Sequence, residues 1–153
     1  MKAKQRTIAQ SVSLQGVGLH TGANVRITIC SSENGAITFV RTDLDGSPEI
    51  KALVQYVVDT SRGTTIGQNG ATVSTIEHVM AALYALGIDN AEIAINGPEC
   101  TIVDGSSKPI LEAIPRKNQI WAQALSNLMW PKRSRRTMER VTSTPHLSQT
   151  MPL

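Results

Sequence analysis

The chain has 153 residues, of which 41% are hydrophobic and 3% aromatic, so it can form one domain with a largely aliphatic core. Its net charge of +3 is divided: residues 1–115 carry eight Lys and Arg against eleven Asp and Glu (net −3), whereas residues 116–153 carry seven against one (net +6). No apolar run approaches the ~20 residues of a membrane span, and the charged N-terminus leads into no apolar signal segment.

The first predicted elements are strands. Loose alternation over Thr7–Leu19 runs into the glycine-rich segment Gly16–Gly22, which predicts a turn with close backbone approach. Val25–Cys30 alternates apolar and polar residues, as half-buried strands do, and Ala36–Arg41 follows after turn residues. We therefore expect these two strands to form a hairpin.

Further extended segments precede the first helix. Glu49–Val58 is typical of a strand, and two short strands flank Gly67–Gly70, whose Gly and Asn residues predict a tight hairpin turn. The period then changes to that of a helix over residues 75–86. Ser74 and Glu77 have the spacing of a capping box, and Gly87 marks the helix end.

The remaining elements complete an α+β pattern. Asn90–Ile95 alternates like a strand, and Pro109 indicates the first turn of a short helix that begins near Lys108. Strands followed by a helix, a strand and a helix predict a two-layer fold, a sheet plus helices, instead of a parallel βαβ series. The pattern stops after Ile114, so we divide the chain into a domain, residues 1–114, and an irregular basic tail, residues 115–153.

The tail admits more than one interpretation. Gln119–Met129 is compatible with a helix, and the positive charge is compatible with a nucleic-acid arm or a membrane-surface segment. The tail has no phosphate-binding motif and no clear aromatic pattern, so we favour a solvated or foreign tail and expect no nucleic-acid partner. The thiols Cys30 and Cys100 show no metal-ligand spacing and are too few for a secreted disulfide scaffold, which favours a reducing cytoplasm.

Glu77 and His78 are the best candidates for chemistry. A neutral imidazole can bind zinc while a neighbouring carboxylate takes a proton from the attacking water, and neighbours on a helix diverge by about 100°. The alternative is that Glu77 is only the capping-box acid. His20 in the glycine-rich turn is compatible with a ligand-binding lip or a hydrogen-bonded turn residue, and His146 in the tail has no supporting pattern.

Five short motifs in order closely resemble the UDP-3-O-acyl-N-acetylglucosamine deacetylases, zinc enzymes of lipid A biosynthesis. The resemblance covers about residues 5–114. The motifs are GVGLHTG (Gly16–Gly22), RTDL (Arg41–Leu44), VSTIEH (Val73–His78), LGIDN (Leu86–Asn90) and IVDGS (Ile102–Ser106).

The resemblance implies a domain that is half of a two-domain sandwich with the active site between the halves. It implies hydrolysis of the N-acetyl group of a nucleotide-sugar lipid precursor, the first committed step of lipid A synthesis. His78 is then a Zn²⁺ ligand and Glu77 the general base. Leu19 and His20 match the active-site lip, Thr60 lies in an inserted substructure near the substrate, and Asp104 supports the site.

The chain departs from the family in its second half. The His-Lys-x-x-x-Asp motif that supplies the other zinc ligands is absent, and the abrupt change after Ile114 suggests a frameshift and a truncated product. We expect an incomplete zinc site and no activity without the missing second domain. The alternatives are a non-catalytic folded domain that binds a partner, and a nucleic-acid binder that uses the tail.

Overall fold

The computed structural model describes residues 5–114 and 119–121. They form ten strands, two α-helices (α1 and α2) and one short 3₁₀ helix. The elements are β1 (Arg6–Ile8), β2 (Val12–Val17), β3 (Asn24–Cys30), β4 (Ile37–Arg41), β5 (Glu49–Lys51), the 3₁₀ helix (Val54–Tyr56), β6 (Val57–Asp59), β7 (Thr65–Gln68), β8 (Ala71–Val73), α1 (Glu77–Ala85), β9 (Ala91–Ile95), α2 (Lys108–Ala113) and β10 (Gln119–Trp121).

The main sheet has five strands in the order β2-β3-β9-β4-β5, in which only the β4–β9 pair is parallel. Alternate side chains of β3 and β9 are buried on one face, and Phe39 and Ile50 join them from β4 and β5. Each strand thus places its aliphatic residues in one layer because successive side chains point to opposite faces.

The predicted hairpin between the third and fourth strands is wrong. β9 lies between β3 and β4 and pairs with both. Ile93 and Ile95 of β9 are completely buried, so β9 is a central strand that requires a neighbour on each side. The six residues between Cys30 and Ile37 connect β3 to β4 past β9, a distance of about 10 Å.

The two helices form the second layer. Val79, Ala82 and Leu83 of α1 and Ile110 of α2 are buried in the same core cluster as the sheet residues. Helix α1 ends in a Schellman motif: Gly87 has φ of 65°, its N–H donates to the Tyr84 carbonyl, and the Ile88 N–H donates to the Leu83 carbonyl. The α+β fold class and both predicted helices are confirmed, as is Gly87 as the stop of α1.

The predicted capping box at the start of α1 is wrong. Ser74 pairs in parallel with Glu99, and its hydroxyl donates to the Pro98 carbonyl, so it stays extended and cannot cap the helix. Ile76 is the N-cap, with no side-chain hydrogen bond. Glu77 is therefore free of the capping role that the sequence assigned to it.

The other sheets are small. β6, β7 and β8 form a three-stranded sheet whose β7–β8 turn is Asn69 and Gly70, both with positive φ, as the predicted hairpin requires. The predicted strand over Glu49–Val58 is interrupted by the 3₁₀ helix.

The third sheet joins the two ends of the described chain. β10 pairs antiparallel with β1, so residues 119–121 are strand and not the suggested helix. The rest of that suggested helix, His146 and most of the basic tail lie outside the described residues. Among the described residues, no helix is both long and apolar enough to cross a membrane.

Candidate active site

Four segments meet beside the N-terminal end of α1. They are the lip turn (Gly18–Gly22), the insert loop (Asp59–Thr64), the first residues of α1, and the segment Glu99–Ser106. Three hydrogen bonds join the insert loop to its neighbours. The Thr64 N–H donates to Glu77 Oε2 at 3.1 Å, the Ile76 N–H donates to the Thr64 carbonyl at 3.4 Å, and His20 Nε2 lies 3.0 Å from the Arg62 carbonyl oxygen. The structure therefore brings His20, Glu77 and the insert loop together.

Glu77 is held by the backbone and not by a cation. Its Oε2 accepts the Thr64 N–H, and a Cβ on Gly63 would lie 2.8 Å from Oε1, so only glycine allows this approach of the loop. No hydrogen bond to Oε1 occurs within residues 5–114. The carboxylate is thus fixed through one oxygen and keeps the other for a ligand or a proton.

His78 follows Glu77 at the border between the buried and exposed faces of α1. It is half-buried; Ala81 and Ala85, three and seven residues further along, are exposed, whereas Ala82, four residues along, is buried. Its ring makes no hydrogen bond within the described part of the chain. The imidazole therefore lies beside solvent, outside the hydrophobic core, where a metal or another polypeptide segment can reach it.

His20 differs from His78 because its ring already has a partner. A carbonyl oxygen only accepts, so His20 Nε2 carries the proton and donates it to the Arg62 carbonyl. This leaves Nδ1 as the ring atom available to accept a hydrogen bond. Both sequence alternatives for His20 are compatible with this geometry, since the ring is hydrogen-bonded and the residue is exposed.

Glu99 is the site residue that sequence reasoning missed. It is completely buried, yet its carboxylate accepts hydrogen bonds from the N–H groups of His20 and Thr21 and from the Thr21 and Thr75 hydroxyls, at 2.8–3.1 Å. Burial raises the pKa of this carboxyl group, but these hydrogen bonds outweigh burial and hold the pKa below its ordinary value. A single acid beside Pro98 gives no sequence signal of such an environment.

Glu99 and Thr101 explain two glycines of the Gly16–Gly22 motif, Gly16 and Gly18. A Cβ on Gly18 would lie 2.5 Å from both Glu99 Oε2 and Thr21 Oγ1, and one on Gly16 would overlap the Thr101 hydroxyl. The backbone at Gly18 also pairs with Thr101. The close approach expected from the glycine-rich motif is therefore to the segment that carries Glu99.

The other predicted site residues, Leu19, Thr60 and Asp104, are exposed. Leu19 is 59% exposed at the tip of the lip turn, and Thr60 is exposed in the insert loop. Asp104 accepts the N–H and hydroxyl of Ser106, which lower its pKa, but no hydrogen bond links it to the other three segments within residues 5–114. The structure thus places Asp104 on the same continuous segment as Glu99, without a hydrogen bond to Glu77 or His78 within residues 5–114.

The described residues do not hold a complete metal site. No group of three or more His, Cys, Asp or Glu side chains in this part of the chain is arranged to bind a metal ion. Burial, together with the negative charges of Glu77 and Glu99, raises the pKa of the Cys100 thiol, so Cys100 stays protonated and is a poor ligand. His78, with Glu77 beside it, offers at most part of a zinc ligand set.

Comparison with known proteins identifies relatives of this chain. The chain is 51% identical over 111 residues to the UDP-3-O-acyl-N-acetylglucosamine deacetylase of Myxococcus xanthus, covering 72% of this chain and 35% of the relative. It is 50% identical over 115 residues to the bifunctional enzyme LpxC/FabZ of Chlorobaculum tepidum, covering 74% and 25%. The deacetylase of Geotalea uraniireducens is 48% identical over 113 residues, covering 73% and 37%.

The chain thus spans between a quarter and about two fifths of the length of these relatives. The family model for UDP-3-O-acyl N-acetylglycosamine deacetylase, LpxC, matches residues 5–146. This range runs past Ile114, so the boundary between domain and tail stays a prediction. With the family model matching residues 5–146 and relatives at about 50% identity over most of its length, the chain belongs to the LpxC family of deacetylases.

Proposed function

We propose that this chain supplies the first-domain half of a zinc-dependent deacetylase that removes the N-acetyl group of UDP-3-O-acyl-N-acetylglucosamine. The observation that carries this proposal is the pairing of a fixed carboxylate with an unengaged imidazole. Glu77 is held through Oε2 by the insert loop, and the ring of His78, the next residue, has no hydrogen-bond partner within the described residues. These are the two groups that amide hydrolysis at this site requires from the first domain.

Glu77 acts as general base and then as general acid. Its Oε1 takes a proton from the water that attacks the N-acetyl carbonyl carbon, and the same proton goes to the departing amine nitrogen when the C–N bond breaks. Acetate and the free 2-amino group are the products. The hydrogen bond from the Thr64 N–H to Oε2 keeps the carboxylate oriented through both proton transfers.

His78 is the metal ligand that this chain contributes. When bound, zinc polarises the carbonyl and acidifies water, and a catalytic zinc site needs about three protein ligands. Among the described residues, no group of three or more side chains is arranged to bind a metal, and we propose that the remaining ligands come from a second domain. The chain alone is therefore expected to be inactive.

The lip turn and insert loop bind and orient the substrate. Leu19 is exposed beside His20, and Thr60 is exposed on the loop that is hydrogen-bonded to His20 and Glu77, which supports a role for both residues at the substrate. His20 Nδ1 is available to a polar group of the substrate. Asp104 supports the outer end of the Glu99–Ser106 segment through its turn with Ser106.

The proposal includes a cytoplasmic location and excludes a nucleic-acid partner. A UDP-linked substrate and two buried cysteines outside any disulfide, Cys30 and Cys100, suit a reducing compartment. The alternative of a non-catalytic partner-binding domain relied on Glu77 as a helix cap, and that support is lost because Glu77 makes no capping hydrogen bond.

Reconstitution tests the proposal. The 153-residue chain is purified alone and also mixed with the C-terminal two thirds of the Myxococcus xanthus relative, and bound zinc is measured by elemental analysis beside acetate release from the substrate. We expect little zinc on the chain alone, and one zinc per complex with acetate release in the mixture. Stoichiometric zinc on the chain alone contradicts the incomplete ligand set.

Two variants assign the roles in the mixture. Glu77→Gln keeps the shape but removes the base, so acetate release falls by about 10²- to 10⁴-fold with zinc retained. His78→Ala loses zinc and activity together. Glu112→Gln, on the exposed face of α2, is the matched control and keeps both. A mixture that binds zinc but releases no acetate overturns the substrate assignment.

A further inference from the structure

We propose that Glu99 is the positioning residue of this site: a buried carboxylate that fixes the lip turn and the approach to α1 in one geometry. The proposal rests on the proposed function only in taking this geometry to be that of an active site. The observation itself is a carboxyl group with 0% exposure and no cation partner within residues 5–114. A buried charge of this kind is tolerated only where oriented donors replace water.

The donors come from two segments that are distant in sequence. The N–H groups of His20 and Thr21 and the Thr21 hydroxyl belong to the lip turn, and the Thr75 hydroxyl belongs to the residues just before α1. Because a carboxylate accepts several hydrogen bonds at defined positions, it fixes both segments relative to each other. His20 and Glu77 are thereby held by one anchor although 57 positions separate them.

Thr75 supplies independent support for this role. It has φ of 56°, a left-handed conformation that a β-branched residue rarely adopts, and it is almost completely buried. Strain of this kind persists only where the surroundings impose it, and it concentrates at functional sites. The hydrogen bond to Glu99 Oε1 holds Thr75 there, and two residues further along Glu77 accepts a hydrogen bond from the insert loop.

Amide hydrogen exchange on the full chain, followed by NMR, tests the proposal without zinc or substrate. In Glu99→Gln the amide group cannot accept from all of these donors, so exchange at His20 and Thr21 becomes about tenfold faster. Their amide proton signals also move upfield as the bonds to a carboxylate are lost. Glu33→Gln, an exposed glutamate with the same chemical change, leaves both readouts unchanged.

Thr21→Val is the second variant, used because Glu99→Gln removes a buried group and can unfold the domain. It deletes one hydroxyl donor to Glu99 at an exposed position and keeps the Thr21 N–H; the same hydroxyl accepts the Ala23 N–H at 3.3 Å, so the readout is taken at His20 and Thr21. Faster exchange confined to the lip turn in this variant supports the proposal. Unchanged exchange at His20 and Thr21 in folded Glu99→Gln or in Thr21→Val overturns it, and so does acceleration that is equal at all amides. A failure of deacetylase reconstitution leaves these readouts intact and thus bears only on the proposed function.

Discussion

The main sheet and the site edge of this domain are stabilised in opposite ways. The sheet core consists of aliphatic side chains and Phe39, which are buried completely and need no directional contacts. The site edge holds a buried carboxylate, Glu99, and β-branched residues with positive φ, Thr75 and Val103. Its geometry depends on hydrogen bonds from particular N–H and hydroxyl groups.

The contrast shows that the sheet core supplies stability, whereas the site edge supplies defined atomic positions. Burial of apolar surface contributes free energy of folding with little dependence on orientation. Oriented donors around a charge contribute less net stability but define positions to within tenths of an ångström. Strained residues such as Thr75 and Val103 cost stability and concentrate at functional sites. The sheet thus supports a site edge that would not be stable alone.

The largest expected effect is in the sheet core. Phe39→Ala removes a completely buried ring and leaves a cavity, so the free energy of unfolding should fall by about 3–5 kcal/mol. Ile93→Val, at an equally buried position, is the graded control and should cost about 0.5–1.5 kcal/mol. Urea denaturation measures both. A loss for Phe39→Ala no larger than that for Ile93→Val would break the comparison.

The second effect is at the site edge. Gly18→Ala places a Cβ 2.5 Å from Glu99 Oε2, which its own hydrogen bonds hold in place, so the free energy of unfolding should fall by about 2 kcal/mol. Gly22→Ala, where φ is positive but no atom lies within 4 Å, should cost about 1 kcal/mol from backbone strain alone. If thermal unfolding ranks these two variants in reverse order, the steric role of Glu99 is wrong.

The third effect contrasts an ion pair of the sheet with the uncharged partners of Glu99. Buried Arg41 donates to both oxygens of Asp43 at 2.8 Å. Asp43→Asn should lower the free energy of unfolding by about 1–2 kcal/mol, a modest loss because the Asp43 side chain is partly exposed and its charge is screened by solvent.

The same pair gives a pH dependence. The hydrogen bond from Arg41 lowers the pKa of folded Asp43 below its ordinary value of 3.8. The contribution of the ionised Asp43 to the free energy of unfolding is therefore present above pH 3.8. It is lost as pH falls through the lowered pKa. The melting temperature of Asp43→Asn should fall less than that of the unmodified chain over this acid range. If the melting temperatures of the two proteins fall in parallel with pH, the ion pair contributes nothing to stability in acid.

The smallest effect is a gain. Val103 is partly exposed with φ of 51°, which glycine adopts without strain, so Val103→Gly should raise the free energy of unfolding by up to about 1 kcal/mol. Val54→Gly, at an exposed valine without positive φ, is the control and should lower it slightly. If thermal unfolding shows that Val103→Gly loses as much stability as Val54→Gly, the backbone at Val103 is not strained.

Much of the local structure was predictable because it depends on neighbours in sequence. Alternation identified β3, β4 and β9, and Gly87 marked the end of α1, since side-chain periodicity and positive φ are local properties. The adjacent Glu77 and His78 were also identifiable as candidates for hydrolysis. The capping box failed because Ser74 pairs with Glu99, which is 25 residues away and invisible to a local pattern.

By itself, the sequence determined both helices, most of the strands, the α+β class and the family motifs, because these follow from residue periodicity and order. Only the tertiary structure decided that β9 lies between β3 and β4, that Thr64 holds Glu77, and that Glu99 anchors the lip turn. Strand order and the partners of a buried charge depend on which distant segments meet, and that is set by the burial of the whole core.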